Sequence, residues 1–173
     1  MKKVIVLISV IIMGVIVVLG TTYKQVNTNY LRIHIRANSN LECDQLIKYK
    51  IKDAIVQVLT PHVASCNSFS DVKQMLQNNL DLIDSVANSI LNENNLKYTA
   101  KSKLTNEKFP TRQYNNFTLE EGIYDALIVE LGSAKGDNWW CVIYPPLCFT
   151  STTGGSNVIY KSRILEMIQN FVK

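Results

Sequence analysis

Catalysis or metal binding would have to be built from few groups in this 173-residue chain: two histidines, four cysteines and 14 acidic residues. His34 and His62 belong to no H-E-x-x-H pattern, and no Cys-x-x-Cys pair offers zinc-ligand spacing, so no metal site is expected. The G-x-S-x-G elbow, the phosphate-binding G-x-x-x-x-G-K-[ST] loop and the dinucleotide G-x-G-x-x-G turn are absent as well. Glu120-Glu121 could in principle supply an acid and a base, but adjacent carboxylates more often mark a solvated turn. No catalytic residue and no cofactor is assigned, and His34 alone makes neither.

Four cysteines allow three fully paired connectivities in an exported domain, and geometry separates them. A helix from Asp44 to Leu59 would span about 24 Å, whereas the return from Thr60 to Cys66 reaches at most roughly 23 Å, so a Cys43–Cys66 bridge is strained. Between Cys141 and Cys148 stands Pro145-Pro146, a rigid bend able to bring the two Cα atoms into bridging range. Cys141–Cys148 is therefore the expected disulfide. A pair of reduced core cysteines is the alternative for a domain that faces the cytoplasm.

The most informative stretch is Trp139-Trp140-Cys141-Val142-Ile143-Tyr144-Pro145-Pro146-Leu147-Cys148-Phe149. Strand alternation sends Trp139, Cys141 and Ile143 to one face and Trp140, Val142 and Tyr144 to the other. One face can serve the core. The other is either a partner-binding patch anchored by tryptophan, Tyr144 and the rigid Pro145-Pro146 turn, or a surface covered by a helix of the same chain.

The elements that would carry these groups follow from periodicity. Leu31, Ile33 and Ile35 alternate with Arg32, His34 and Arg36, a half-buried strand with a basic outer face that is either a solvated sheet face or a binding stripe. Ile47, Ile51, Ala54, Ile55 and Val58 line one side of a helix near Asp44 to Leu59, closed by Pro61. A longer helix opens at Phe69-Ser70, with Ser70 as N-cap, and carries Val72, Leu76, Leu80, Ile83, Ala87, Ile90 and Leu91 as far as Asn92. Period two returns at Leu96 to Leu104, with lysines outward, and Ile123 to Leu131 with Trp139 to Tyr144 read as a hairpin. The order predicts an α+β fold, two helices packed on one face of a mostly antiparallel sheet.

At the N-terminus, Lys2-Lys3 precedes the apolar Val4 to Leu19, which matches an export signal. At about 1.5 Å per residue it covers roughly 24 Å, so a cleaved signal peptide and an N-terminal membrane anchor both fit residues 1–20. Residues 21–29 read as a polar spacer, 30–149 as the α+β domain, and 150–173 as a Thr/Gly/Ser linker with a terminal helix at 158–172. The net charge is +4, and setting aside the first twenty residues removes two lysines and leaves +2, far from a nucleic-acid binder. With 47% hydrophobic residues the chain can bury a real core, which excludes wholesale disorder and a disulfide-dependent miniprotein.

Arg36-Ala37-Asn38-Ser39, Asp44-Gln45, Phe109-Pro110-Thr111-Arg112, Gly122-Ile123-Tyr124-Asp125-Ala126-Leu127 and Asn138-Trp139-Trp140-Cys141 with Pro145-Pro146-Leu147-Cys148 together carry a resemblance. From Leu31 to Phe149 the chain resembles the stage II sporulation protein R family, exported signalling proteins of endospore-forming bacteria. It departs from the family pattern at Asn115, where Gly is usual, and at Glu120-Glu121, where Pro-Ala is usual. The family-motif positions are Asn38, Ser39, Asp44, Gln45, Pro110, Thr111, Gly122 and Tyr124.

The resemblance implies synthesis in the forespore and secretion into the space between the two sporulation membranes, or anchoring to the membrane that faces it. It further implies activation of a membrane-embedded aspartic protease of the mother cell, which processes the precursor of sigma factor E. A secreted or membrane-anchored envelope hydrolase is the alternative; a cleft bringing His34 beside a Cys, Ser or carboxylate would favour it.

Overall fold

The computed structural model describes residues 26–114 and 117–149; the expected export or anchor segment and the expected terminal helix lie outside the described residues. The chain runs β1 (Val26–Arg36), α1 (Glu42–Ser65), α2 (Phe69–Asn78), α3 (Leu80–Glu93), β2 (Ala100–Phe109), β3 (Arg112–Tyr114), β4 (Phe117–Leu119), β5 (Gly122–Leu131), β6 (Asn138–Tyr144) and a 3₁₀ turn, Leu147–Phe149. Among the described residues the fold is α+β, with three helices in place of two and a mixed sheet of order β2-β5-β1-β6. β1 begins at Val26, inside the stretch read as a spacer.

Strands β5 and β6 are not the expected hairpin. β1 lies between them, parallel to β5 and antiparallel to β6. The reason lies in burial: Leu31, Ile33 and Ile35 are closed off on one face and Arg32 and His34 on the other, which suits an inner strand. The connection after β5 crosses the end of β1, where Lys135 and Gly136 donate backbone N–H groups to the carbonyls of Asn38 and Ala37 at 3.2 and 2.9 Å.

The helices differ from expectation at their ends. α1 passes through Pro61 to Ser65. An interior proline removes a helix hydrogen bond, but Val63 and Ala64 beyond it are buried and keep the last turn on the core. The long second helix breaks at Asn79, whose side-chain amide donates to the Met75 carbonyl at 2.7 Å and whose backbone leaves helical geometry. Its N-cap is Ser68, not Ser70: the Ser68 hydroxyl accepts from the Asp71 N–H at 3.1 Å, while the Asp71 carboxylate accepts from the Asn67 N–H at 3.0 Å.

Two cores flank the sheet. On the helix side, Ile33, Ile35, Leu127, Val129 and Leu131 pack against Ile51, Leu59, Leu76 and Ile83. On the other, Phe109, Leu119, Tyr124, Ala126, Ile128 and Val142 form a second cluster, joined by Tyr114 and Trp140. The basic outer face is thereby corrected: Arg32 and His34 are 0% and 2% exposed, because Phe109, Tyr114 and Tyr124 pack on Arg32, and Trp140 and Phe109 on His34. β2 also starts later and runs longer than Leu96 to Leu104, which carries Glu107 and Phe109 onto this same face.

Candidate functional site

The motif residues Asn38, Ser39, Asp44 and Gln45 form a polar latch where β1 passes into α1. The Asp44 carboxylate accepts from Ser39 Oγ at 2.6 Å, Asn38 Nδ2 at 2.8 Å and the Tyr98 hydroxyl at 2.5 Å. Burial alone would raise this carboxyl, but the hydrogen bonds from Ser39, Tyr98 and Asn38 outweigh it and hold it below the usual range. Gln45 Nε2 donates to the Ser39 carbonyl at 2.8 Å, and the buried Lys48 ammonium donates to Gln45 Oε1 at 2.6 Å and to the Asp137 carbonyl at 3.0 Å. Burial pushes Lys48 downward. Gly132, at φ +56°, closes the latch: a Cβ there would meet Asn38 Oδ1 at 2.3 Å. Every donor and acceptor named faces another, so the arrangement fixes the crossing loop rather than presenting a reactive group.

A second motif group shapes the base of the β3–β4 ribbon. Thr111 Oγ1 accepts from the Glu121 N–H at 3.0 Å and donates to the Glu120 carboxylate at 3.3 Å. Tyr124 donates its hydroxyl to the Glu120 carbonyl at 2.6 Å, and Gly122 pairs with Phe109 at the end of the ladder. Pro110 stands between β2 and β3, where no strand pairing needs an N–H from it. Glu120-Glu121 is thus a structural turn, with Glu121 ion-paired to Lys108 at 3.0 Å.

Under this ribbon lies the cluster that periodicity left unseen. His34 stacks on Trp140 with ring centroids 3.6 Å apart, and Phe109 meets both rings edge-on at 5.9 and 4.9 Å. Desolvation first, and the Arg36 charge second, lower the His34 pKa to about 4, against an opposing pull from Glu107. Glu107 approaches His34 Nδ1 at 3.3 Å, but its carboxylate is engaged by Arg36, which also grips Glu130 at 2.6 Å. The carboxylate beside His34 is thus present. Yet Trp140 covers the imidazole, and no hydroxyl or thiol among the described residues bonds to it.

The tryptophan segment divides as alternation predicts, with one exception. Trp139, Cys141 and Ile143 belong to the helix-side core, and Trp140 and Val142 to the second cluster. Tyr144 joins the helix side, edge-on to Phe69 at 6.0 Å, because the β1–β6 register shifts between Leu31 and Arg32. Cys141 and Cys148 are bridged, with Cα atoms 6.1 Å apart, and Cys148 Sγ accepts from the Val142 N–H at 3.1 Å. Cys43 and Cys66 are free. Pro145, entered through a cis peptide bond, and Pro146 are both buried, which corrects their reading as surface contacts: the 3₁₀ turn that follows them packs back on β6 and α1. Trp139 and Trp140 are both half-buried, and the Lys52 ammonium lies 5.7 Å from the Trp139 ring centre.

Sequence reasoning missed Glu107 by ending β2 early, and missed Phe109 and Arg112 as site residues although both lie in the Phe109-Pro110-Thr111-Arg112 motif. Continued alternation through Thr105, Glu107 and Phe109 was the available signal. Among the described residues no group of three or more His, Cys, Asp and Glu could hold a metal, and no helix is long and apolar enough to cross a membrane.

Comparison with known proteins gives a family model and a relative. No solved structure matches. The model described as stage II sporulation protein R matches residues 27–154, which reaches past Phe149 into the stretch read as a linker. The relative, stage II sporulation protein R of Bacillus subtilis (strain 168), is 31% identical over 128 residues, covering 74% of this chain and 57% of the relative's own length. The latch, the ribbon base and the bridged tryptophan segment all fall inside the matched region, and the chain belongs to the stage II sporulation protein R family.

Proposed function

We propose that this protein is a non-enzymatic signal, exported from the forespore or anchored facing the intermembrane space, that binds a membrane-embedded aspartic protease of the mother cell and stabilises its active state. The protease then processes the precursor of sigma factor E. Family membership supports the reading, and one structural observation carries the contact surface. Edge strand β6 holds Trp139 on a flank that the helices only half cover, while the Cys141–Cys148 bridge fixes the strand's far end. A rigid aromatic at a sheet edge is a low-entropy anchor for a partner. Activation by such a contact requires only that the active protease binds it more tightly than the inactive one.

The hydrolase reading would need His34 as a base. Its lowered pKa, its cover by Trp140 and the Arg36 grip on Glu107 all weigh against that role. Coexpression of this protein with the protease and the sigma-factor precursor tests the proposal. Precursor cleavage that requires this chain is the expected result, and cleavage indifferent to it would overturn the reading.

A further inference from the structure

Arg32 sits on inner strand β1 with no exposed surface, and its guanidinium is under-bonded. Nη2 donates to the Tyr114 hydroxyl at 2.9 Å, while Nε and Nη1 have no acceptor. The group lies over the rings of Phe109 and Tyr124, at 4.2 and 4.9 Å from their centres. These faces attract a cation but accept none of its N–H hydrogen bonds. Arginine cannot shed its charge in a protein, and a buried charge without hydrogen-bonded compensation is costly.

The nearby carboxylates are already engaged. Glu107 and Glu130 hold Arg36, Glu120 takes the Thr111 hydroxyl, and Asp125 bonds Lys73 and Asn106. A second guanidinium lies along the same aromatic path. Arg112 sits over Trp140 at 5.6 Å, Trp140 meets Phe109 edge-on at 4.9 Å, and Arg112 is exposed with no ion pair to a described residue. One positive group is therefore at the floor and another at the rim of a single aromatic surface.

We propose that Arg32, with Arg112 at the rim, forms a carboxylate-binding site on the second face of the sheet. A singly charged carboxylate suits a floor this dry better than a phosphate, because desolvation rises steeply with charge. It also matches the planar guanidinium and supplies acceptors for the free Nε and Nη1 donors. Its competitors are the half-buried Tyr114 hydroxyl and the Tyr124 hydroxyl, which also interacts with the guanidinium, and it would displace or join them. The carboxylate would come from an Asp, Glu or C-terminus of a partner polypeptide, or from a free small acid. The inference concerns ligand chemistry and stands whether or not the partner is a protease.

The test titrates the full-length chain with sodium acetate, standing for a free acid, and with N-acetyl-aspartate N-methylamide, standing for a polypeptide side chain. Sodium chloride at matched ionic strength is the control. Arg32 Nε–H is followed by NMR and the unfolding temperature in parallel. The expected result is a saturable Arg32 shift and a raised Tm with carboxylate but not chloride. The Tm response should be lost in Arg32→Met, and the apparent Kd should rise several-fold in Arg112→Ala. The probe that saturates at the lower concentration identifies the source. No carboxylate-specific shift in the wild-type chain would overturn the proposal and leave Arg32 a structural cation on an aromatic bed; that readout stands even if Arg32→Met fails to fold.

Discussion

Adjacent in sequence, Trp139 and Trp140 have unequal surroundings. Trp140 stacks on His34, its cross-strand neighbour, has the Arg112 guanidinium over its ring and meets Phe109 edge-on, whereas Trp139 has the Lys52 ammonium as its ring contact. Trp140→Ala should therefore open a void in the second core and destabilise by about 2–4 kcal/mol, toward the lower range for buried aromatics. Trp139→Ala should cost about 1 kcal/mol of stability yet reduce precursor processing, since truncating an interface anchor costs about 2 kcal/mol or more in binding. Thermal melts beside a cleavage assay separate the two, and normal processing by a folded Trp139→Ala would remove Trp139 from the interface. His34 gives a pH signature. Its folded pKa of about 4 lies below its ordinary value of 6.5, so between these values the unfolded chain binds the extra proton. Its contribution is complete above about pH 6.5, declines as pH falls toward 4, and is flat below. Asp44 and Glu130, both held below their usual range, begin to lose their contributions only as pH falls past about 5, so the upper part of this window belongs to His34. The decline in Tm from pH 7 to 4.5 should flatten in His34→Gln, and an unchanged slope would show that His34 is not its source.

At the scale of elements, the sequence disclosed which residues alternate but not what lies opposite them. Leu31, Ile33 and Ile35 read correctly as a buried face, and Trp139 and Trp140 correctly as opposed. The Arg32, His34, Arg36 face read as solvent-exposed because alternation of polar and apolar types is the same whether water or a folded-over ribbon covers the polar side. Strand order failed for a related reason: turn residues between Leu131 and Asn138 signal reversal, while insertion of β1 between β5 and β6 is fixed by long-range burial. The Asn79 break was invisible because its apolar spacing continues unbroken from Leu76 to Leu80. The Cys141–Cys148 pairing was legible, since chain length and the proline pair alone limit the geometry. That bridge closes a short loop and caps the Val142 N–H on the outer edge of β6. Replacing both cysteines by serine should lower stability by about 2–3 kcal/mol, the loop-entropy value for a span of this length. It should also loosen the edge, seen as faster hydrogen exchange at the Val142 amide. Unchanged exchange and unchanged Tm together would show that Pro145 and Pro146 hold the turn without the bridge.

For the whole molecule, the position of β1 decides which part of the chain is needed for folding and which for delivery. β1 is hydrogen-bonded on both sides and buries Leu31, Ile33 and Ile35 within the helix-side core. At roughly 1.5–3 kcal/mol for each such side chain, losing these three alone removes much of the ~5–15 kcal/mol that stabilises a typical domain. The apolar stretch from Val4 to Leu19 ends before β1 begins at Val26. Deleting Met1 to Gly20 should therefore leave a domain that unfolds cooperatively at close to the original temperature. Deleting through Arg36 should leave none, because β5 and β6 would lose the strand that joins them. If export carries the signal, the shorter deletion produced in the forespore should accumulate folded and fail to trigger precursor cleavage. Fusing it to an unrelated export signal should restore cleavage. Full cleavage by the shorter deletion without such a signal would show that the domain acts on the side where it is made, and would reject delivery across the membrane as the step that makes it a signal.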